Sequence, residues 1–487
     1  MISRRIVTDA DLLEDTVRAE ASAGAGIACM YVAEASTGTP RSLEVIMVSD
    51  KEALRISVPL AESAFLSLTP AFRAAGIYER EISEMSGVLP LGHPDMRPLK
   101  MRTRTTGVYP MQKEVKDGYP HKVIIPRNRL FGEGLFEIPV GPIHAGVIEP
   151  GHFRFSVTGE EILKLRTYLG YKFRGIEKLM ETPVGRDSTR TAERISGDNA
   201  IAHSLAYLQI IEGGTEIPMR AKFIRTVYAE LERIYYHLNG ISGIALDASL
   251  SVPAQTGFAM KERILRLNER VSGHRMLMNT LMPGGLRKDM SEDSMRDIER
   301  EMIRLRFEAG ELFGMLTSSP SFRDRAETTG ILSREDAVAL RAVGPVARAS
   351  GIAYDVRKAF PYAAYGSIHM RTVTHTSGDV YARLKVRHDE LLESVSIIIQ
   401  CLNSMGPGEI SCPVRTEDGL SIGMTESPRG EIIHCADVRN GEIWRYKIRD
   451  PSFPNWQALE LAILGNIVPD FPLVNKSFDL SYSGNDL

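Results

Sequence analysis

A helical stripe of apolar residues limits the folds open to this chain more than any other feature does. In residues 225–247 the apolar side chains recur at steps of three and four, which is typical of a helix that buries one face in a bundle. The stripe consists of Val227, Leu231, Ile234, Leu238 and Ile241. At 487 residues the chain is also too long for one ordinary core, so we expect two domains or more.

A different pattern fills the first hundred residues. Short β-like runs (GIACMYVAE, SLEVIMVS and LRISVPL) alternate there with a helical stretch. Residues 101–134 are then rich in Gly, Pro, Lys and Arg and lack apolar periodicity, as a connector would. We therefore predict an α+β chain with a small α+β domain over 1–118, a connector over 119–134, and a large domain over 135–487 that is mainly a helical bundle with β-hairpin additions.

Two local motifs refine the prediction for the large domain. The segment FRFSVTGEEILKLRTYL alternates apolar and polar residues on both sides of Thr158-Gly159, which predicts a β-hairpin. Ser291 precedes an acidic first turn and predicts the cap of another helix. The apolar positions of the two hairpin arms are Phe153, Phe155, Val157, Leu163, Leu165 and Leu169.

Charge and hydropathy exclude several classes of function. The formal net charge is −3, so the chain has no general basic field for nucleic acid. No run of eighteen apolar residues is present, and the N-terminus has acidic residues where a signal peptide needs an apolar core. These features predict a cytoplasmic protein without a membrane span of its own.

The stretch ERISGDNAIAHSLAY, at 193–207, reads as a loop that turns into a helix. Ser196, Gly197, Asp198 and Asn199 offer turn and cap chemistry before an apolar helix that carries His203. The four cysteines of the chain show no C-x-x-C spacing, which predicts reduced thiols rather than a disulfide framework or a thiolate metal site.

The order of several segments along the chain matches that of a known protein family. They are LGHPDMRPL (91–99), YPMQKEV (109–115), GPIHAGVIEPGHFRF (141–155), RGIEKLM (174–180), ERISGDNAIAHSLA (193–206), SPRGEI (427–432) and RDPSFPNWQALE (449–460). Together they resemble the large subunit of formate hydrogenlyase and hydrogenase-4 complexes. In that family of group 4 nickel–iron hydrogenases, a domain like the C subunit of bacterial respiratory complex I is fused to one like its D subunit. The resemblance covers almost the whole chain.

The chain departs from this family at the metal. Active nickel–iron members carry two C-x-x-C pairs, and by the resemblance their positions are taken here by Ser196 and Asn199 and by Ser452 and Asn455. Nickel and low-spin iron need soft, anionic, bridging sulfur, which neutral hydroxyl and amide oxygens do not replace. We therefore expect no nickel or iron here, and we favour a helix cap with local hydrogen bonds as the role of the first turn.

The resemblance to complex I implies a second kind of site, for a quinone. His152 matches the histidine that approaches the quinone head, and Asp247 matches the acid that pairs with that histidine. The tyrosine of the complex I site falls near Gly197, so quinone stays a candidate acceptor and not an inference. From the residues alone, a histidine such as His152 is more often a turn or surface residue than a catalyst, and Asp247 would satisfy a hydrogen bond at a helix end or a neighbouring loop.

The resemblance further brings five ionisable residues from distant segments around the former metal position. We expect them to form salt bridges, such as Arg449 with an acid, or to line a wet proton path with Glu177 as its exit. Taken alone, Glu177 would be a solvated charge, Arg429 a turn arginine and His203 a core histidine. The five residues are Glu177, His203, Arg429, Arg449 and Asp450.

Two functions stay open at this point. In the first, the chain is a metal-free large subunit of a membrane-associated, redox-driven ion-pumping complex, and it helps to form an acceptor or proton-relay cavity beside an iron–sulfur subunit. In the second, it is a structural and coupling subunit with a sealed former active site. Either way it binds no cofactor itself and works in a hetero-oligomer on the cytoplasmic side of the membrane. The partners implied by the resemblance are an iron–sulfur small subunit, a ferredoxin-like subunit and antiporter-like membrane subunits.

Overall fold

The computed structural model describes residues 3–487, apart from 36–39, 102–103, 106, 114–119, 122, 124, 126–131, 133, 147 and 185. Most of the predicted connector therefore lies outside the described residues. The described strands are β1 (Arg4–Val7), β2 (Gly26–Ala33), β3 (Ser42–Val48), β4 (Ala53–Pro59), β5 (Ala64–Leu66), β6 (Leu89–Leu91), β7 (Arg104–Thr105), β8 (Pro120–His121), β9 (Leu135–Val140), β10 (His152–Thr158), β11 (Glu161–Tyr168), β12 (Leu281–Met282), β13 (Gly285–Leu286), β14 (Gly419–Ser427), β15 (Gly430–Arg439) and β16 (Glu442–Arg449).

Helices dominate the second half of the chain. The described helices are α1 (Leu13–Ser22), α2 (Gly76–Ser86), α3 (Ile176–Leu179), α4 (Arg186–Ala192), α5 (Ala200–Glu212), α6 (Met219–Asp247), α7 (Ser251–Ser272), α8 (Glu292–Thr317), α9 (Pro320–Ala326), α10 (Arg334–Ala339), α11 (Gly344–Ala349), α12 (Val356–Ala359), α13 (Val380–Ser404), α14 (Ser452–Ala462), α15 (Phe471–Phe478) and α16 (Tyr482–Asp486). The fold class is confirmed, with a small α+β domain followed by a larger, mainly helical domain that carries β additions. The domain limits stay a prediction.

The N-terminal domain is built on a sheet with the strand order β1-β4-β3-β2. β4 pairs in parallel with β1 and antiparallel with β3, and β2 forms one edge of the sheet. Val45 and Ile56 of this sheet share a core with Leu13 of α1 and Ile82 of α2. Phe453 of α14 belongs to the same core, so the large domain packs directly against the small one.

The predicted hairpin is confirmed as β10 and β11, and β9 adds a third antiparallel strand. One hairpin position differs from the expectation, because Leu163 is 41% exposed while Ile162 is fully buried. The ladder pairs Val157 with Ile162 and Ser156 with Lys164, so Leu163 is the extra residue of a β-bulge. A bulge shifts the faces of a strand, which turns Leu163 out of the core.

The bundle of the large domain forms around α6, as the stripe predicted. Every residue of that stripe is buried to 3% exposure or less. α6 packs against α7 and α13, and α8 packs against both of them. α8 begins directly after Ser291, whose hydroxyl accepts a hydrogen bond from the Ser294 amide at 3.2 Å, so the predicted cap is confirmed.

The third structural unit is the antiparallel sheet β14-β15-β16, after which the chain continues to Ser452 and Asn455 at the start of α14. Basic residues alternate along β16 and face the N-terminal domain. Arg445 and Arg449 donate to the Val32 and Ala28 carbonyls of β2, each at 3.1 Å. Lys447 donates to Glu81 of α2 at 2.6 Å. The two domains are therefore joined through one strand whose charged side chains point to one side.

Candidate functional site

The loop before α5 is capped from outside its own sequence. Gly197–Asn199 form one 3-10 turn and α5 follows, as predicted. The Asn199 side chain caps none of the described amides; instead the Glu232 carboxylate of α6 accepts from the Ile201 and Ala202 amides, at 2.7 and 3.1 Å. The expected cap is therefore wrong, because a carboxylate from α6 satisfies the free N–H groups at the start of α5. The expected local hydrogen bonds do form, from Ser196 and Asn199 to Asp198.

The four positions that the resemblance matches to the thiolates are buried, each with an exposure of 1% or less. They are Ser196, Asn199, Ser452 and Asn455. The Ser196 hydroxyl donates to Asp198 at 2.7 Å and lies 3.0 Å from the Ser481 hydroxyl. The Ser452 hydroxyl accepts from the Ser481 amide at 2.9 Å. We call the two segments that carry these positions, 196–199 and 452–455, the former metal loops. Ser481 thus joins the two former metal loops through hydrogen bonds.

The two amide side chains are satisfied in the same way. Asn455 pairs with the Val343 backbone, accepting from its N–H at 3.0 Å and donating to its carbonyl at 3.1 Å. Asn199, in the orientation that satisfies both of its polar atoms, donates to the Asp198 carbonyl at 3.1 Å and accepts from Arg429 at 2.9 Å. Neutral, already bonded oxygen and nitrogen donors do not fit nickel or low-spin iron. The described residues also contain no group of three or more His, Cys, Asp and Glu side chains placed to hold a metal ion.

The Arg429 side chain holds the loop at residues 196–199 in place. Its guanidinium binds both carboxylate oxygens of Asp198, at 2.9 and 2.7 Å, and donates to the Asp479 carbonyl at 2.8 Å. It also lies over the Tyr236 ring, 4.2 Å from the ring centre. Burial by itself would raise the pKa of Asp198, but the Arg429 charge holds it well below its usual range. The pair is therefore ionised and fixes the loop.

Beside this loop, four buried side chains form a continuous hydrogen-bonded chain. His203 Nε2 lies 3.2 Å from Asp450 Oδ2, and His203 Nδ1 lies 3.0 Å from His434 Nε2. His434 Nδ1 lies 2.7 Å from the Tyr446 hydroxyl. With Tyr446 as donor to His434, every hydrogen bond points in one direction, toward Asp450. We call these four residues the relay chain.

Burial and pairing set the charges in the relay chain. Burial by itself would raise the pKa of Asp450, but the hydrogen bond from His203 and the charge of Arg429 keep it below the ordinary value. Burial moves the pKa of His434 well below that of a free histidine, and burial moves the pKa of Tyr446 well above that of a free tyrosine. At neutral pH the chain thus contains an ionised carboxylate at one end and a neutral phenol at the other.

Glu177 lies on the side of the site that faces the N-terminal domain. Its carboxylate accepts from Lys447 at 2.8 Å and from the Ile448 amide at 3.0 Å, and Arg445 lies 3.4 Å away. Burial would raise the pKa of Glu177, but the charges of Lys447 and Arg445 lower it. Arg449 pairs with Glu431 in the next ion pair along β16.

The five ionisable residues predicted for one shared space are divided among three settings. His203 and Asp450 bond to each other, and Arg429 binds Asp198 beside them. Glu177 and Arg449 instead make ion pairs at the domain interface. Among the described residues, separate ion pairs and hydrogen bonds satisfy these five side chains, which was the first of the two arrangements expected.

His152 and Asp247 are not paired in this structure. His152 Nδ1 lies 3.2 Å from the Gly141 carbonyl, and its Nε2 accepts from Arg154 at 3.3 Å. Asp247 ends α6, where the nearby charges that lower its pKa belong to Lys476 and Arg325, although burial has the larger effect and raises it. The expected histidine–acid couple is therefore absent from the described contacts, because the two residues are held by different elements.

Sequence reasoning missed several residues of this site. His434 and Tyr446 complete the relay chain, and Glu232 caps α5. A signal existed for only one part: the alternation of basic and apolar residues in EIWRYKIR predicts a strand with one charged face, and that strand carries both Tyr446 and Lys447. The other partners come from segments that no local pattern connects.

One cavity between the two domains is separate from the four positions matched to the thiolates. The cavity has a volume of about 580 Å³, and its lining includes Ile27, Phe72, Arg341 and Tyr354 but none of the four replaced positions.

Within the described part of the chain, no helix has both the length and the apolar content needed to cross a membrane.

Comparison with family models divides the chain into two matched parts. Residues 7–120 match the family described as respiratory-chain NADH dehydrogenase, 30 Kd subunit. Residues 247–417 and 413–486 match the family described as respiratory-chain NADH dehydrogenase, 49 Kd subunit. The two matches follow each other along the chain, so the similarity extends over both domains.

Individual proteins are similar to the chain over most of its length. Formate hydrogenlyase subunit 5 of Escherichia coli (strain K12) is 32% identical over 450 residues, which cover 89% of this chain and 79% of the relative. Hydrogenase-4 component G of the same organism is 32% identical over 439 residues, covering 87% and 76%. The C/D subunit of NADH-quinone oxidoreductase from Bacteroides thetaiotaomicron is 30% identical over 472 residues, covering 91% and 89%.

Proposed function

Because this chain belongs to the family of fused large subunits that includes formate hydrogenlyase-type and complex I-type members, we propose that it is a nickel-free large subunit of a membrane-associated redox complex. Its partners are an iron–sulfur small subunit, a ferredoxin-like subunit and antiporter-like membrane subunits, which hold it on the cytoplasmic side of the membrane. Electrons reach the site from the iron–sulfur partner, since this chain has no thiolate cluster motif of its own.

The donor set at the former metal position supports a nickel-free subunit. Ser196, Asn199, Ser452 and Asn455 supply no anionic sulfur, and each is bonded within the protein. The proposed proton transfer therefore uses no metal held by this chain. Elemental analysis of the purified complex checks this part: we expect no nickel and no hydrogen uptake or evolution, and one nickel per chain would overturn it.

The relay chain is the observation that carries the proposed role in proton transfer. Each of its inner members, His434 and His203, accepts a hydrogen bond on one ring nitrogen and donates one from the other. A proton can therefore move between the two ends, toward Asp450 in this arrangement and toward Tyr446 once every bond has reversed its donor. Asp450 also accepts from the Ser452 amide at 2.7 Å, which places that end at the former metal loop.

The neighbouring charges fit positioning roles around this chain. Arg429 fixes Asp198 beside Asp450, and Arg449 holds β15 and β16 together through Glu431. Glu177 lies near the Tyr446 end of the relay chain, and its negative charge contributes to the raised pKa of Tyr446. We assign Glu177 as the exit of the proton path at the domain interface. His152 and Asp247 stay proposed for the acceptor side, with quinone as the candidate acceptor, on the resemblance alone.

Replacement of Tyr446 by Phe tests the relay with the least change in shape. Tyr446→Phe removes the hydroxyl that donates to His434, and we expect coupled turnover of the native complex to fall at least about tenfold. Glu177→Gln should also slow coupled turnover while the complex still assembles. Tyr228→Phe, in a buried tyrosine of α6 outside the relay chain, is the matched control and should leave turnover unchanged.

The closed state of the former metal loops favours a second candidate function. Because the four replaced positions are buried and bonded, the chain also fits a structural and coupling subunit without a substrate. The same variants separate the two functions. Unchanged coupled turnover in both Tyr446→Phe and Glu177→Gln, in complexes that assemble normally, would favour the structural subunit.

A further inference from the structure

Two glutamates that face each other across a β-ladder have opposite charge environments. Glu426 of β14 pairs in register with Glu431 of β15, and both are buried. Glu431 binds two guanidiniums, those of Arg341 at 2.6 Å and of Arg449, and it accepts from the Tyr354 hydroxyl at 2.5 Å. Although burial opposes ionisation, these charges lower the pKa of Glu431 to about 2. Glu431 is therefore ionised throughout the neutral range.

Glu426 has to share its cation. Arg348 donates to Glu426 at 2.8 Å, but it also donates to Glu390 at 2.6 Å and lies 3.8 Å from Asp355. The other oxygen of the Glu426 carboxyl accepts only from the Val356 amide, at 3.1 Å, among the described residues. One guanidinium thus serves three carboxyl groups.

The surrounding cluster contains one more acid than it has guanidiniums. We call it the Glu426 cluster; its acids are Glu230, Asp355, Glu390 and Glu426, and its guanidiniums are Arg233, Arg348 and Arg357. All of them are buried to 3% exposure or less. An unbalanced charge in such a setting is expensive, and the usual outcome is that one acid binds a proton.

The other three acids of the cluster have more hydrogen-bond donors or stronger charge partners than Glu426 has. Glu230 accepts from Arg233, Arg357, Ser394 and Tyr365. Asp355 accepts three bonds from Arg357, two from its guanidinium and one from its amide, and Glu390 has His237 as a second partner, at 2.8 Å.

Glu426 is the acid with the weakest compensation. Burial raises its pKa to about 7, against the effect of Arg348 and the more distant Arg233 and Arg357, and Asp355 raises it further. The pKa values of the other three acids in the cluster are lowered.

We propose that the Glu426 carboxyl is a proton-binding site that takes up and releases about one proton per chain in the neutral range. It lies at the base of the turn that carries Arg429. The Glu426 and Ser427 carbonyls accept from Arg233 at 2.7 and 3.0 Å, and Arg429 follows two residues later with its bond to Asp198. The use of this proton during turnover rests on the proposed function, whereas the binding itself does not.

Infrared difference spectroscopy of the native complex after a pH jump tests the site. In wild-type protein we expect a protonated carboxyl band that titrates near pH 7 and that shifts when the chain is labelled with ¹³C-carboxyl glutamate. Glu426→Gln resembles the neutral form of the side chain, so it should fold, and it should remove this band together with about one proton of uptake per chain. Glu232→Gln is the matched control, since burial also raises the pKa of Glu232, to about 8.

Each outcome decides the question. Loss of the band in Glu426→Gln with its retention in Glu232→Gln supports the site. Loss in Glu232→Gln alone would assign the proton to the α5 cap and overturn the proposal. If Glu426→Gln does not fold, the labelled Glu232→Gln protein decides, because a glutamate band that still titrates near neutrality there supports the site and its absence refutes it. The spectra do not depend on turnover, so failure of this proposal leaves the proposed function untouched.

Discussion

The loop that carries Ser452 and Asn455 and the β16 interface are both buried, yet different kinds of side chain stabilise them. In the loop, neutral side chains bond to backbone: Ser452 accepts from the Ser481 amide, and Asn455 pairs with the Val343 backbone. Along β16, charges pair across two domains, and Lys447 lies between Glu81 and Glu177. An unpaired buried charge costs far more than an unpaired hydroxyl. Removal of a charge at the interface should therefore cost more than removal of a hydroxyl at the loop.

Removal of the interface cation should have the largest effect. Lys447→Met keeps the length of the side chain but leaves Glu81 and Glu177 without their shared partner at 2.6 and 2.8 Å. We expect the free energy of unfolding to fall by about 3–5 kcal/mol, as for other broken buried pairs. Urea unfolding of variant and wild type measures this, and a loss below about 1 kcal/mol would contradict the contrast.

A pH series sharpens the comparison at Glu426. Its folded pKa, about 7, is above the unfolded value of about 4.5, so the folded state binds more protons between these limits. Stability of the wild type relative to Glu426→Gln should therefore decrease as the pH rises from about 5 to about 7, by up to about 1.4 kcal/mol per pH unit. Unfolding midpoints at several pH values give the slope, and parallel curves for the two proteins would contradict it.

A loop substitution should cost less. Ser452→Ala removes the hydroxyl that accepts from the Ser481 amide and leaves that buried amide without this partner. We expect a loss of about 1–2 kcal/mol in the free energy of unfolding. The measurement is the same urea titration, and an effect as large as that of Lys447→Met would erase the distinction between the two regions.

Removal of an exposed ion pair should change the free energy of unfolding least. Arg18 and Glu14 lie 2.5 Å apart on α1, and both side chains are more than half exposed. Because water screens such pairs, Arg18→Ala should change the free energy of unfolding by no more than about 0.5 kcal/mol. A loss comparable to that at Lys447 would mean that charge pairing, and not burial, decides the cost.

The parts of the molecule that the sequence predicted well are those set by local periodicity. The α6 stripe and the β10–β11 hairpin follow from the spacing of apolar residues, which reports which face is buried. The bulge at Leu163 could not be predicted, because the apolar pattern is compatible with either of two adjacent residues turning inward.

The candidate site was predictable only as a set of loops. The order of its segments indicated which loops belong together, but not which side chains meet. His203 and His434 are 231 residues apart in sequence, and their bond depends on how α5 packs against β15. The Glu232 cap likewise requires the register of α6 against α5. Such contacts are decided by tertiary packing, for which no local spacing gives a signal.

The guanidiniums on β16 have a consequence for how the chain is made. β2 is an edge strand, and unpaired carbonyls along an edge are a template for strands of other chains. Here Arg445 and Arg449 occupy the Val32 and Ala28 carbonyls, and the Tyr78 hydroxyl adds a second bond to Ala28. During synthesis the N-terminal sheet emerges first, and the β16 strand that covers its edge follows later on the same polypeptide. Fusion of the two domains therefore protects a vulnerable edge without a diffusional search for a partner.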